Sequence, residues 1–157
     1  MFFCGCGGVV FRGVAQLNLD SKGRLTVPSR YREELLARCG GRLVVTADFE
    51  KCLLVYPLPE WEPIQQKLMS KSSFDPRIRN LQRRLIGYAE DIEMDAAGRV
   101  LISLALRQFA SLEKSVSLVG QGNRFELWDK AKWDEAMERS DGFNDGNLPP
   151  ELEGFSL

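Results

Sequence analysis

Histidine is absent from all 157 residues. That excludes Ser-His and Cys-His nucleophile pairs and every histidine-containing metal site. Cysteine is scarce, with four residues at positions 4, 6, 39 and 52. Cys4-x-Cys6 lacks a second paired motif, so no zinc site is expected. Cys39 and Cys52 sit in apolar surroundings and read as buried thiols of a reducing cytosol. No apolar run approaches the roughly 18 residues that a membrane span needs. The opening MFFCGCGGVVF has no basic n-region and is soon interrupted by Arg12, so no signal peptide is read and the cytoplasm is the expected compartment. Neither a Walker loop nor a dinucleotide-binding glycine motif occurs, since GCGG and GQGN lack the strand–glycine–helix context. No catalytic centre, metal, cofactor or small-molecule substrate is therefore expected.

What is present is an ordinary globular composition, 44% hydrophobic and 27% charged, long enough for one compact domain or two very small ones. The net charge of −1 conceals a division along the chain. Residues 1–85 carry 14 Lys/Arg against 8 Asp/Glu, a net +6, and residues 86–157 carry 7 against 14, a net −7. A basic half is the footprint a polyanion would need, although blocks of charge also serve simply as solvated surface.

The sequence repeats itself. NLDSKGRLTVP (18–28) returns as EMDAAGRVLIS (93–103), with Asp95, Gly98 and Arg99 standing 75 positions after Asp20, Gly23 and Arg24. Further on, LLVYPLPEW (53–61) matches FELWDKAKW (125–133) at an offset of 72, placing Tyr56 over Trp128 and Trp61 over Trp133. Each copy reads as strand, tight D-x-x-G-R connection, strand, short helix and hairpin. In the first copy these are VAQLNL, RLTV, a helix with Pro28 in its first turn and Tyr31, Leu35 and Cys39 on one face, then RLVVTA and KCLLVY. In the second they are AEDIEM, RVLI, a helix near 104–111, SVSLV and RFELW, with GQGN as the hairpin turn. A helical linker joins the copies through two stripes, Trp61/Ile64/Leu68 and Ile78/Leu81/Leu85, the second opened by Asp75 as N-cap and Pro76 as first helical residue. After Trp133 a short helix fades into an acidic tail rich in Gly and Pro, expected to be flexible. A copy of about 45 residues is near the lower limit for folding alone. The expectation is thus an α+β, mainly β chain whose halves close a pseudo-two-fold β-barrel.

Two readings of D-x-x-G-R stand side by side. In the first, Asp accepts backbone N–H bonds, Gly supplies a positive φ, and Arg pairs with its own Asp or that of the other half to staple the barrel. In the second, the loop binds phosphate and reads bases. Lys22 and Arg24 flank Gly23, Ser21 offers a hydroxyl, and Arg12, Arg30 and Arg32 lie on neighbouring segments. A two-stranded ribbon fits the major groove, where Arg grips two acceptors at once. The second copy has Ala97 in place of the lysine and Ala105 in place of Arg30, so a DNA face is expected to be weighted toward the first half. Paired Asp residues from two halves also suggest an aspartic-protease dyad, but the string D-S-K-G and the adjacent cations disfavour a shared proton. Arg77, Arg79, Arg83 and Arg84 of the linker form a rival basic face, read first as solvated surface.

FRGVAQLNLDSKGRLTVPSRYREELL, CLLVYPLPEWE, MDAAGRVLI and LVGQGNRFELWD together resemble the MraZ family of bacterial transcriptional regulators, from Phe11 to about Met137. The resemblance implies two tandem SpoVT-AbrB-type swapped-hairpin modules, here over residues 14–60 and 89–132, joined by a linker over 61–88 and followed by helix and tail over 133–157. It further implies a ring-shaped homo-oligomer, nucleoid-associated in the cytoplasm. Such a ring binds repeated boxes in double-stranded DNA upstream of the division and cell-wall genes, its own promoter included, usually as a repressor. By position, the family's DNA-reading motif assigns Asp20, Lys22 and Arg24 in the first module and Asp95 and Arg99 in the second. With the neighbouring cations, the expected DNA-binding set is Lys22, Arg24, Arg99, Arg12 and Arg30, with Asp20, Gly23, Asp95 and Gly98 shaping the loops. Family members begin near MFRG, so residues 1–10 read as an N-terminal extension or a start-site artefact, in which MFFCGCGGV (1–9) is translated upstream sequence and Val10 is the initiator, from a GTG codon. An intact mass of the native protein that included residues 1–9 would refute that expectation.

Overall fold

The computed structural model describes residues 10–139, 150–152 and 154. Cys4, Cys6, the extension before Val10 and most of the acidic tail lie outside the described residues. The chain runs β1 (Phe11–Asn18), β2 (Arg24–Thr26), α1 (Ser29–Cys39), β3 (Arg42–Ala47), β4 (Leu53–Pro57), α2 (Leu58–Met69), α3 (Pro76–Leu85), β5 (Glu90–Glu93), β6 (Arg99–Leu101), α4 (Leu104–Phe109), β7 (Ser115–Gly122), β8 (Phe125–Asp129) and α5 (Lys130–Glu138). None of the described helices is long and apolar enough to cross a membrane.

Local sequence explains most element ends. Tyr31, Leu35 and Cys39 recur every fourth residue and are the buried face of α1. Gly40 ends that helix in the left-handed region at φ 63, and the N–H groups of Gly40 and Gly41 satisfy the Leu36 and Leu35 carbonyls. The Asp75 side chain caps α3 by accepting from the Arg77 amide, with Pro76 following as the first helical residue.

Four boundaries differ from the sequence reading. Pro28 takes the N-cap position with ψ 141 rather than a place in the first turn of α1. The linker's first helix starts at Leu58, because Pro59 falls in its first turn, where a missing N–H costs no helical bond. The last helix begins at Lys130, ahead of Trp133. Strand β7 continues through GQG to Gly122, leaving only residues 123 and 124 for the turn. Pairing with β1 over eight residues, Phe11↔Gly122 to Asn18↔Ser115, extends it. A Cβ at Gly120 would strike the Arg12 backbone, so this glycine is what lets the two strands lie so close.

The two halves are interleaved. The six-stranded antiparallel sheet has the order β1-β7-β8-β4-β3-β5, and β2 pairs with β6 in a separate ribbon. Exchanging β1 with β5, β3 with β7 and β4 with β8 returns the same order read backwards, which is a pseudo-two-fold through the β4–β8 pair and the ribbon. Each copy's first strand therefore pairs with the other copy's third. The helices that follow the hairpins obey the same symmetry: Tyr56 packs against Trp61 with tilted rings 5.6 Å apart between centroids, and Trp128 against Trp133 edge-on at 5.8 Å.

One core is shared by both copies. Leu25 and Val100 from the ribbon, Leu35 from α1 and Leu106 from α4 join Val45, Leu53, Val55, Leu118, Phe125 and Leu127 of the large sheet. The strands enclose this core as a six-stranded sheet and the two-stranded ribbon. Cys39 and Cys52 are buried free thiols, and burial pushes the Cys52 thiol far above its ordinary value.

Candidate nucleic-acid interface

The two D-x-x-G-R segments form loops closed by the same set of hydrogen bonds. In the first, Asp20 Oδ1 accepts from the amides of Lys22 and Arg24, each at 2.9 Å, and Oδ2 accepts from Arg24 Nε at 2.6 Å. The Asp20 amide donates to the Arg24 carbonyl and the Gly23 amide to the Asp20 carbonyl, closing a tight turn. In the second, Asp95 accepts from the amides of Ala97 and Arg99 at 2.9 Å and from Arg99 Nε at 3.0 Å. Gly23 and Gly98 hold φ of 86 and 78, a region that side-chain-bearing residues rarely enter. The loop-shaping roles of Asp and Gly thus have direct geometric content.

Both carboxylates are held ionised by their own loops. The Arg24 amide, opposed by partial desolvation and helped by the Arg24 guanidinium and the Lys22 amide, lowers Asp20 to about 2. Asp95 is lowered for the same reasons, the Arg99 amide first. Two carboxylates each neutralised at home are not a dyad sharing one proton. The arginine partner is in every case the aspartate of the same loop, so these ion pairs do not bridge the halves.

The halves are joined by backbone instead. In the ribbon Leu25 pairs with Val100, Arg24 with Leu101 and Thr26 with Arg99. Beyond it the Val27 amide donates to the Gly98 carbonyl at 2.8 Å and the Ile102 amide to the Gly23 carbonyl at 3.0 Å. Side chains alternate across a strand. Leu25 and Val100 point into the core, and Arg24, Thr26, Arg99 and Leu101 share the outer face. Arg24 and Arg99 are diagonal neighbours there, about 7–8 Å apart at the backbone by ladder geometry. Loop one adds exposed Ser21 and Lys22 at one end, whereas loop two adds only Ala96 and Ala97 at the other.

Arg12 and Arg30 are placed elsewhere. Arg12 precedes Asn18 by six strand positions, roughly 20 Å along β1 at the antiparallel rise per residue. There it lines a shallow cavity with Arg30 and Tyr31. Tyr31 Oη donates to the Arg12 carbonyl at 2.6 Å, and the Arg30 guanidinium lies 4.8 Å from the Tyr31 ring centre. The structure therefore makes two separate basic sites from the five expected cations. The linker arginines are partly engaged as well: Arg77 pairs with Asp75, Arg79 donates to the Ser73 carbonyl, and Arg84 stacks on Phe49 at 4.8 Å.

Two residues outside the expected set reach the loops. Arg32 of α1 donates from Nε and Nη2 to the Val27 carbonyl, at 3.2 and 2.9 Å. Arg107 of α4 donates from Nε to the Ile102 carbonyl at 2.9 Å. A Cβ on Gly23 would fall 2.6 Å from Arg107 Nε, and one on Gly98 would clash with Arg32 Nε. The signal was in the sequence: Arg32 and Arg107 are also 75 positions apart.

An intertwined pair of strand-loop-strand modules presenting one arginine-bearing ribbon and two homologous loops defines the class, a pseudo-symmetric two-module β-ribbon protein. The family model described as "MraZ protein, putative antitoxin-like" matches residues 10–84 and again 85–146, and the chain belongs to the MraZ family. It is 62% identical over 148 residues to a protein of Nitrosomonas eutropha named "Transcriptional regulator MraZ", covering 94% of this chain and all of that protein. It is 61% identical over 148 residues to the Nitrosomonas europaea protein of the same name, with the same coverage. Identity to the Escherichia coli protein of that name is 50% over 152 residues, covering 94% of this chain and all of that protein.

Proposed function

We propose that this chain is a sequence-specific DNA-binding transcriptional regulator, without catalytic activity, that reads the major groove with the β2–β6 ribbon and its two loops. The observation that carries the reading is the outer ribbon face, where Arg24 and Arg99 stand as diagonal neighbours flanked by Lys22. A two-stranded ribbon fits the major groove, and an arginine fork matches guanine O6 and N7. Each in-loop ion pair is made through Nε, one of five guanidinium donors. The preordered loop thus aims the arginine without using up its hydrogen-bonding capacity. Lys22 adds a phosphate contact that only loop one has, and the Arg12/Arg30 pair contacts phosphate farther along the duplex.

One chain offers few cations, and each phosphate contact is modest and sensitive to salt. A ring of copies engaging repeated boxes raises affinity through effective concentration. Ring closure needs a head-to-tail contact, for which Met69 and Phe74, exposed at the α2–α3 connection, are available apolar groups. The proposed role is repression of the division and cell-wall gene cluster, with its own promoter, by a cytoplasmic, nucleoid-associated ring.

A competing reading treats the two Asp–Arg pairs only as structural staples, which on their in-loop closure would hold each loop rather than join the halves. A gel shift with DNA from upstream of the chain's own gene, titrated in salt, separates the two. Specific retardation that falls steeply with salt is expected. No retardation even at low salt would leave the staple reading standing.

A further inference from the structure

The loops that carry Lys22/Arg24 and Ala97/Arg99 are each backed by a guanidinium from the other module. Arg107, on α4 of the second copy, lies against Gly23 of the first loop while its Nε holds the Ile102 carbonyl. Arg32, on α1 of the first copy, lies against Gly98 of the second loop while its fork holds the Val27 carbonyl. Those carbonyls belong to the two residues whose amides reach across to Gly98 and Gly23: Val27 N–H donates to the Gly98 carbonyl, and Ile102 N–H to the Gly23 carbonyl. One peptide segment therefore receives an arginine on its carbonyl and gives its amide to the opposite loop, and the arrangement is repeated by the pseudo-two-fold. The glycine in each loop is needed twice, for its positive φ and for the space the guanidinium occupies.

We infer that Arg107 and Arg32 are positioning residues for DNA recognition, each setting the loop of the opposite module, with Arg107 the one that matters more because it backs the lysine-bearing loop. The inference rests on the DNA-reading role proposed above. Arg107 also lines, with Lys114, a groove of about 580 Å³ beside Asp20 and Ser21. A direct phosphate contact is thus the reading it must be distinguished from. The chemistry of the two differs. A phosphate contact needs only a cation, and lysine supplies one, whereas the observed role needs a guanidinium whose Nε donates to a carbonyl while its Nε and Cζ fill the space beside a glycine.

The test uses the full chain, the variants Arg107→Leu and Arg107→Lys, and the upstream DNA alongside unrelated DNA of the same length. Both variants should lose specific affinity on the order of tenfold, the size expected for a disturbed base contact, while affinity for unrelated DNA and the salt slope stay as in the wild type. In spectra without DNA, Arg107→Lys should move the Lys22 and Gly23 amide signals and leave those of Ala97 and Gly98 in place, and Arg32→Lys should do the reverse. Lysine restoring full affinity, or a salt slope reduced by about one with equal loss on both DNAs, would make Arg107 a phosphate contact and overturn the inference. Loop amides unmoved by either lysine variant would overturn it as well. If wild-type protein did not bind the upstream DNA at all, the functional proposal would fail, while the crossed amide shifts would still report the positioning. Should the leucine variant fail to fold, the lysine variant carries every one of these readouts.

Discussion

Arg24 Nε donates to Asp20 Oδ2 at 2.6 Å across a loop closed at Gly23, and the same residue's backbone amide donates to Oδ1 of the same carboxylate. One aspartate thereby fixes both the path of the loop and the direction in which the guanidinium leaves it. Arg24→Ala should abolish specific DNA binding yet leave the melting temperature within a few degrees, since a solvent-exposed ion pair adds little stability. Arg99→Ala, in a loop without lysine, should weaken binding less. Gel shifts and thermal melts of both variants check this pair of expectations; a melt that collapsed in Arg24→Ala with DNA binding retained would point to the staple reading.

The same aspartates give the loops an acid limit. Asp20 titrates at about 2 in the folded chain, against 3.8 ordinarily, and Asp95 is lowered in the same direction. A carboxylate whose folded pKa is depressed stabilises the folded state above its unfolded value and loses that contribution as pH falls through the folded one. Loop order should therefore be constant from neutral pH to about 4 and decline between about 4 and 2. Carboxyl carbon shifts of Asp20 and Asp95 followed on acidification check this. Midpoints near 4 for both residues would show that the amide bonds do not persist in solution.

Gly98→Ala should destabilise the chain by about 1–3 kcal/mol, the usual cost of forcing a side chain into the left-handed region. Its Cβ would in addition meet Arg32. Gly40→Ala shares the positive φ but meets nothing within 4 Å, so it is the control. Urea unfolding of the two variants should show the larger loss at Gly98; equal losses would mean that the guanidinium yields freely.

Much of this arrangement was readable because it is local. The offset of 75 between Asp20 and Asp95 foretold two equivalent loops, and the offset of 72 matched Tyr56 to Trp128 and Trp61 to Trp133, residues the fold then uses in two corresponding ring contacts. Strand neighbours were not readable from residue patterns: nothing local tells Gln16 that it will accept from Ser117, 101 residues away. Alternation in β1 hid its true start, since Gly13, at φ 100, interrupts the pattern that pairing with β7 restores. Arg12 stands only eight residues before Asp20 in sequence, but β1 places it six strand positions, roughly 20 Å, before Asn18, and Arg30 of α1 lines a cavity with it there. Arg32 and Arg107 stand 75 positions apart like the loops, but nothing local to a helix says that its arginine will lie against a glycine of the other copy.

The α2–α3 connection exposes Phe74 to 90% and Met69 to 64%. If these residues close the proposed ring, Phe74→Ser should lower the assembly mass in solution while leaving the melt of the single chain intact. Affinity for DNA carrying several boxes should then fall far more than affinity for one box, because the lost term is effective concentration. Native mass measurement with one-box and three-box duplexes checks this. An unchanged assembly mass would move the ring contact elsewhere.

Leu101 occupies the centre of the question of which surface meets DNA. It is 53% exposed on the outer ribbon face, directly opposite Arg24, and it follows Val100, which is buried at 3%. Leu101→Glu should cost little in folding, since the side chain already faces water. Its carboxylate would stand between Arg24 and Arg99, drawing their guanidinium groups inward and repelling phosphate. Specific binding should fall by more than about tenfold, the scale of losing a good base contact. Leu104→Glu is the matched control, because Leu104 is 58% exposed on α4, outside the ribbon. Binding that survives Leu101→Glu as well as it survives Leu104→Glu would remove the ribbon from the interface and leave the loops alone to read the duplex.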